Sequence, residues 1–213
     1  MAVDVNNAVR DILPREESRM FGQLDVYPPR VTFGGQNKGE RIFIMVRQHI
    51  LTNLGWVIRT AILIVAPFLV SIAIDYASGI FPQSFPDGVA VLKLLPAMVW
   101  IGLGLIYYSS VFTYAFANYI DWYFDIYFVT SERIIHNEFV FLKGKSVSEA
   151  PLENIQEVSQ SVIGFLPSIF NYGDVIVQTA AEKGKFFFHS VPDPAWFTDV
   201  LADLAKIVGR RPL

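Results

Sequence analysis

The sequence predicts an α+β membrane protein in which a two-helix transmembrane hairpin precedes an antiparallel β-barrel or sandwich capped by a C-terminal helix. Hydrophobic residues make up 53% of the 213 residues. Charged residues make up 17%, against roughly 25% in average soluble domains. The apolar residues are concentrated in two long runs, and short strand-like segments follow the second. We therefore expect a cytoplasmic N-terminal segment (1–50), a transmembrane hairpin (51–121) and a cytoplasmic β-domain (122–213).

Composition also excludes several classes of protein and of site. The chain contains 18 Phe, 9 Tyr and 4 Trp, which is not the composition of a disordered protein. It has no cysteine, so disulfides, thiolate metal sites and cysteine nucleophiles are excluded. The net charge of −3 gives no support to nucleic-acid binding, which needs a basic face.

The two apolar runs are long enough for membrane spans, which need about 20 apolar residues to cross a hydrocarbon core of about 30 Å. The first run covers residues 54–74 and contains one charge, Arg59, whereas the second covers residues 94–120 and contains none. Buried core helices are the alternative, but such helices rarely stay uncharged over this length. Arg59 lies near the start of its span, so we expect it to snorkel to the head groups as a membrane anchor. A functional intramembrane arginine is the less favoured alternative.

The charges that flank the runs predict the orientation of the hairpin. Lysine and arginine collect before the first span and after the second, whereas the connecting loop (75–93) contains one lysine and two aspartates. Because cytoplasmic flanks are enriched in Lys and Arg, we expect a multi-pass protein of the cell (inner) membrane with both termini cytoplasmic. Residues 1–40 contain no apolar signal-peptide core, so the hairpin itself is expected to direct insertion.

The spans favour an anchor over a transport pathway, because two helices cannot enclose a pore alone and the second span has no ionisable residue. Three small residues four apart, Ser109, Thr113 and Ala117, permit close helix packing. Their expected partner is the first span of the same chain, with another subunit as the alternative. Trp122 suits the aromatic belt at the cytoplasmic interface and is predicted to be a second membrane anchor.

Beyond Asp121 the pattern changes to short aromatic and β-branched segments separated by turn residues. Six strands are predicted, at residues 122–130, 133–142, 145–151, 155–162, 174–180 and 185–191. Short turns between strands, without intervening helices, indicate an antiparallel sheet. The segment Gly164–Phe170 is apolar for a loop. We expect it to pack on the domain's own core, with the membrane or a partner as alternatives.

One helix is predicted to close the chain. Asp193 suits its N-cap, Pro194 its first position and Gly209 its end. Between them, apolar residues recur every three to four positions, at Trp196, Phe197, Val200, Leu201, Leu204, Ile207 and Val208. The polar face is acidic rather than basic, unlike that of a membrane-surface helix. The helix is therefore expected to cap the open end of the sheet.

The order and spacing of several short motifs resemble those of the bacterial PH-domain membrane proteins. These motifs are the Thr130–Arg133 hairpin, Pro151-Leu152 before Ile155-Gln156, Gln160-Ser161, Gly173-Asp174-Val175 and Asp193-Pro194, with Gly39-Glu40 and Arg47-Gln48-His49 upstream. The resemblance covers roughly residues 38–205. It implies that the β-domain has the pleckstrin-homology-like (PH-like) fold on a membrane hairpin, but it implies no settled ligand or chemistry.

No motif for catalysis, cofactor binding or metal binding is present in the sequence. The three histidines are scattered without metal-ligand spacing, and nucleophile-elbow, P-loop and dinucleotide motifs are missing. His136 alternates onto the face of Glu138, which predicts a solvated pair. Asp121 and Asp125 at the membrane exit could be paired carboxylates, although a structural role is favoured. We therefore expect a protein that is not an enzyme and has no cofactor.

Binding is the remaining prediction, to lipid or to protein. Lys143 and Lys145 share one loop, and Lys183 and Lys185 share another. If the loops meet, they would form a basic patch for weak contact with anionic lipid, and otherwise they are simply solvated. A sheet edge or the groove beside the helix could instead bind a partner protein or a second copy. The expected function is a scaffold module at the membrane, and the alternative is an accessory subunit of a membrane transport or enzyme complex.

Overall fold

The structure is a computed structural model that describes residues 9, 12–13, 18–19, 23–28, 31–80, 96–142, 144–180 and 184–209. The chain divides into two compact units. The helical unit is Asn53–Ile120, and the sheet unit combines Met1–Thr52 with Asp121–Leu213. The N-terminal segment that the sequence analysis set apart therefore belongs to the same unit as the C-terminal β-domain.

The helical unit contains two long apolar helices, as predicted, although their bounds differ. A 3-10 turn (Ile50–Asn53) leads into α1 (Leu54–Ile80), and α2 covers Ala97–Phe124. Both helices are long and apolar enough to cross a membrane, with mean hydropathies of 2.4 and 1.4 over their most apolar windows. Most of the large apolar side chains along them are exposed. Most of the connecting loop lies outside the described residues.

The first sheet of the sheet unit has six described strands, in the order in which they occur along the chain. They are β1 (Ser18–Arg19), β2 (Leu24–Val26), β3 (Ile42–Arg47), β4 (Ile126–Thr130), β5 (Arg133–Val140) and β6 (Gly144–Pro151). Each neighbouring pair is antiparallel. Strand β3 joins the N-terminal segment to β4, with Val46 opposite Tyr127. That pairing explains why the N-terminal segment is part of this unit.

The second sheet has three antiparallel strands among the described residues. They are β7 (Ile155–Ser161), β8 (Tyr172–Thr179) and β9 (Lys185–Pro192), with β8 in the centre. The described strands thus form two open antiparallel sheets, which confirms the α+β class but not a closed barrel. The strand predicted at Trp122 is also wrong at its start. Helix α2 continues through Phe124, so β4 begins only at Ile126.

Two α-helices follow β7 in the described part of this unit. Helix α3 (Phe165–Phe170) connects β7 and β8, and α4 (Pro194–Gly209) follows β9. The predicted apolar stripe of α4, which includes Phe197, Leu201 and Leu204, is buried in one core with residues from both sheets. Because that core includes strand residues such as Tyr127 and Phe188, α4 packs over the sheets as predicted.

Candidate functional site

The Thr130–Arg133 turn, which joins β4 and β5, is locked to the loop before β3 by an ion pair whose carboxylate is buried. Arg133 donates from Nε to Glu40 Oε1 at 3.1 Å and from Nη2 to Glu40 Oε2 at 3.0 Å. Thr130 Oγ1 donates to Glu40 Oε1 at 2.7 Å, and the Asn37 amide donates to Oε2 at 2.9 Å. The Glu40 side chain is 0% exposed and that of Arg133 is 19% exposed. This motif therefore acts as a structural lock.

The charge state of the lock follows from these contacts. Burial by itself would raise the pKa of Glu40. Hydrogen bonds from Arg133, the Asn37 amide and Thr130, together with the guanidinium charge, outweigh burial and hold the pKa of Glu40 below its usual value. In return, the Glu40 hydrogen bond raises the pKa of Arg133, so both groups stay ionised.

A second polar cluster lies where α2 passes into β4. Asp125 Oδ1 lies 2.6 Å from His136 Nε2, and Asp125 Oδ2 accepts a 2.6 Å hydrogen bond from the Gln48 side chain. Asp121 Oδ1 accepts a hydrogen bond from the Phe141 amide. Asp125 thus holds two side chains and Asp121 holds a backbone amide, so each carboxylate has its own structural partners. The expectation for His136 was wrong, because its partner is Asp125 and not Glu138.

Tyr127 connects this cluster to the core. Its ring stacks on His136, with centroids 4.2 Å apart, and its hydroxyl accepts a hydrogen bond from the His189 amide. Burial, and then the nearby Asp125 carboxylate, raise the pKa of Tyr127, so the phenol stays protonated. The described residues contain no group of three or more metal-ligating side chains.

His49 fixes the end of the segment that precedes α1. Its ring stacks on Tyr172 with centroids 4.6 Å apart and planes 6° apart, and its amide donates to Ser190 O. His49 is buried, and this burial lowers the pKa of the imidazole. Neither this stacked contact nor β3 was found by sequence reasoning.

The two predicted membrane anchors differ in their surroundings. Arg59 is exposed on α1, close to the start of the helix. Trp122 is half-buried, and its indole Nε1 donates to the carbonyl oxygen of Gln48 at 3.0 Å. Trp122 therefore ties the end of α2 to the segment after β3, a structural contact that its aromatic character alone did not predict.

The small-residue face of α2 is not the one that meets α1 in the structure. The described hydrogen bonds between the two helices run from Tyr107 Oη to Leu63 O at 2.7 Å and from Tyr108 Oη to Ile64 O at 3.4 Å. Ser109 and Thr113 are exposed and border a shallow depression, whereas Ala117 is half-buried.

The four predicted lysines do not form one described cluster, and Lys143 and Lys183 lie outside the described residues. Lys145 is exposed near the start of β6, opposite Phe139. Lys185 begins β9 beside Gln178, in a hairpin whose Ala180 amide donates to Asn154 O, just beyond the end of β6. At about 3.3 Å per strand residue, the two described lysines lie towards opposite ends of β6. The loops are therefore not joined into a single patch by these residues.

Leu142, beside Lys143 at the tip of the β5–β6 hairpin, is 91% exposed. This tip is held close to the end of α2, since the Phe141 amide binds Asp121. Lys145 and Leu142 therefore place one basic and one apolar side chain near the residue at which the chain re-enters the sheet unit.

The segment Val162–Phe170, here called the apolar turn, is exposed. Its large apolar residues are Val162, Ile163, Phe165, Leu166, Ile169 and Phe170, and every one of them is exposed. The expectation that it packs on the domain's own core was wrong. Helix α3 is only six residues long, and its side chains project from the unit instead of entering the core.

Comparison with known families decides the relationship of the chain. The model of the bacterial PH domain matches residues 49–205, about three-quarters of the sequence. The chain belongs to the bacterial PH domain family. The match begins at His49 and extends through both long helices to α4, so the helices lie within the matched span of this bacterial PH domain protein. No curated protein and no solved structure gives a significant match.

Proposed function

We propose that this bacterial PH domain protein is a non-enzymatic integral membrane protein. Its helices form a transmembrane hairpin that holds a PH-like binding and scaffold module at the cytoplasmic face of the cell membrane. One observation carries the proposal: α1 and α2 expose apolar side chains along their lengths and continue directly into the folded sheet unit. A bilayer would cover that apolar surface, which is unfavourable in water.

A scaffold role is supported by the edge of the six-stranded sheet. In the described residues β6 pairs only with β5, and seven of its eight residues are exposed. An exposed edge can accept an extended segment of a partner through backbone hydrogen bonds. The described surface thus offers a place for protein assembly that does not depend on a deep pocket.

Weak contact with anionic lipid is supported by Lys145 beside the exposed Leu142. A lysine near an anionic surface contributes about 1 kcal/mol. The segment from Trp122 to the end carries eight basic and eleven acidic residues, so its overall charge opposes strong attraction. Lipid contact would therefore supplement the hairpin.

The absence of enzymatic activity is supported by how the polar groups are used. The acids at the junction of α2 and β4 bind the Gln48 side chain, the His136 ring and a backbone amide, and Glu40 is locked to Arg133. Each of these groups already has a structural partner.

Membrane extraction and purification in mild detergent test the proposal together. We expect the protein to stay in the membrane pellet after an alkaline carbonate wash and to release only with detergent. Release by carbonate alone would contradict the membrane anchor. A partner that is captured by the wild-type chain, but not by a variant with Val147→Pro in the β6 edge, would support the scaffold surface; equal capture would contradict it.

The alternative is an accessory subunit of a membrane transport or enzyme complex. The exposed face of α2 around Ser109 and Thr113 favours it, because small residues permit close helix contact. Stoichiometric co-purification of a transporter or membrane enzyme, lost on Ser109→Leu but kept on the outward Phe112→Leu control, would support this alternative over a free-standing scaffold.

A further inference from the structure

The apolar turn is a charge-free surface feature of the sheet unit. No charged residue occurs between Glu157 and Asp174. Ile163 is 83% exposed, Phe165 is 79% exposed and Ile169 is 57% exposed. Contiguous apolar surface of this kind commonly marks a site that another molecule or a membrane covers.

The turn has a defined shape. Gly164 has φ 115° at its start, where Ser168 Oγ donates to Gly164 O at 2.7 Å. Asn171 ends α3 in the left-handed conformation, and its amide donates to Pro167 O. Gly173 packs so closely that an added Cβ would lie 2.7 Å from Ser161 O. The apolar side chains are therefore presented on an organised projection.

The position of the turn within the sheet unit indicates what it faces. Tyr172, which follows the turn, stacks on His49. The chain leaves this unit at Thr52, three residues after His49, and α1 begins at Leu54. The apolar turn is thus next to the point at which the chain leaves the sheet unit for an apolar helix.

The point at which the chain returns to the sheet unit also lies beside an exposed apolar side chain. The chain returns to the sheet unit at Asp121, and Asp121 binds the amide of Phe141. Next to it, Leu142 is 91% exposed. Both points at which the chain enters or leaves the unit therefore lie beside an exposed apolar tip.

We propose that the apolar turn inserts into the interfacial region of the same bilayer that α1 and α2 span, at the boundary between head groups and acyl chains. This inference rests on the proposed membrane anchor. The turn carries phenylalanine, isoleucine and leucine but no lysine or arginine, which suits apolar insertion rather than recognition of a phosphate. Insertion would add a third membrane contact that fixes the orientation of the sheet unit on the surface.

The chain has no cysteine, so single cysteines can report the depth of chosen sites in the full-length protein. Four variants, Ile163→Cys, Phe165→Cys, Phe68→Cys and Glu153→Cys, are labelled with an environment-sensitive dye and placed in nanodiscs of zwitterionic lipid, one chain to a disc. Phe68 is exposed on α1 and reports the hairpin, whereas Glu153 is exposed on the sheet unit and reports water. Quenching is measured with lipid-borne nitroxide and with aqueous iodide.

We expect labels at Ile163 and Phe165 to be blue-shifted and quenched by the nitroxide several-fold more than the label at Glu153. If Phe68 is quenched by the nitroxide but Ile163 is quenched by iodide like Glu153, insertion is wrong and the anchor stands. If Ile163 is protected from both quenchers, protein covers the turn, and insertion is also wrong. If Phe68 itself is not quenched by the nitroxide, the anchor fails and the inference fails with it.

A paired substitution provides a second readout. The reporter is a dye attached at Ser168→Cys in nanodiscs. Combining Ile163→Ser with Phe165→Ser should increase the iodide quenching of this dye several-fold relative to the chain that keeps Ile163 and Phe165. Phe187→Ser, which changes an exposed phenylalanine on β9, should leave that quenching unchanged. Equal quenching in the paired variant and the control would overturn the inference.

Discussion

Replacing Arg133 by methionine tests the buried lock between the Thr130–Arg133 turn and the loop before β3. Methionine keeps much of the length and apolar stem of the side chain but removes both hydrogen bonds to Glu40. Glu40 would retain only the Thr130 hydroxyl and the Asn37 amide. Removing one partner of a buried ion pair costs about 3–5 kcal/mol. Because two hydrogen bonds remain, we expect a loss near the lower limit, about 3 kcal/mol.

The assay is thermal unfolding of the full-length protein in detergent, followed by near-UV circular dichroism. For a chain of this size, about 3 kcal/mol corresponds to a fall in Tm of about 6–12 °C. Lys206→Met is the matched control, since Lys206 forms an exposed pair with Asp203 at 3.1 Å. An exposed pair contributes only about 0–1 kcal/mol, so the control Tm should change little.

The pH dependence gives the same prediction a second readout. In the wild type, the contacts of Glu40 hold its pKa below the ordinary value. Their contribution is present above the unfolded pKa of a glutamate, about 4.3, and is lost as the pH falls through the lower folded value. The Tm difference between wild type and Arg133→Met should therefore shrink in acid. A variant that behaves like Lys206→Met, or a difference that grows in acid, would refute the reasoning.

Three further predictions concern other contacts. Burial lowers the pKa of His49, so wild-type stability should fall as the pH drops from about 6.5 towards 5. In His49→Phe, which keeps a stacked ring, this part of the decline should vanish. A pH slope of Tm that is the same in the variant as in the wild type would contradict the prediction. Gly173→Ala should lower the free energy of unfolding by about 1–3 kcal/mol, because the added Cβ meets backbone. The control Gly34→Ala adds its Cβ in open space and should change Tm little. Equal losses of stability in the two variants would argue against close packing at position 173. Tyr107→Phe should lower the stability of the helical unit, measured by detergent titration, by about 0.6 kcal/mol. Tyr108→Phe should lower it by less, because the hydrogen bond of Tyr108 is longer. The reverse order of the two losses would count against the described helix contact.

The features that were predicted from the sequence depend on local pattern. Helix α4 is defined by 16 consecutive residues, which contain its apolar stripe, its start at Pro194 and its end at Gly209. The structure has the helix at those bounds. The two apolar helices are local features in the same sense. Five of the six predicted strands likewise fall close to their observed positions, because alternation and turn residues mark them.

The features that were missed depend on contacts between distant residues. The whole helical unit lies between β3 and β4 in the sequence, although the two strands pair. No short hairpin turn therefore marks β3 as a strand. The apolar run Ile42–Val46 was the available signal. Trp122 has the aromatic character of a strand residue but continues α2, because helix formation is cooperative once begun.

The candidate site was the least predictable part. The sequence shows that Asp125 and His136 exist, but their 2.6 Å contact requires the register of β4 against β5. The apolar turn could be recognised as apolar from composition, yet its exposure depends on how α3 leaves β7 and returns at Gly173. Likewise, whether the two lysine loops meet is decided by the arrangement of two separate sheets.

The central claim is that a membrane hairpin holds the sheet unit on the cytoplasmic side. Its most direct test is labelling of single cysteines with a membrane-impermeant maleimide, at Ser84→Cys in the connecting loop and at Glu153→Cys on the sheet unit. In intact cells stripped of any outer barrier, we predict that position 84 is labelled and position 153 is labelled only after permeabilisation. Labelling of position 153 in intact cells, or recovery of the protein in the soluble fraction, would contradict the account.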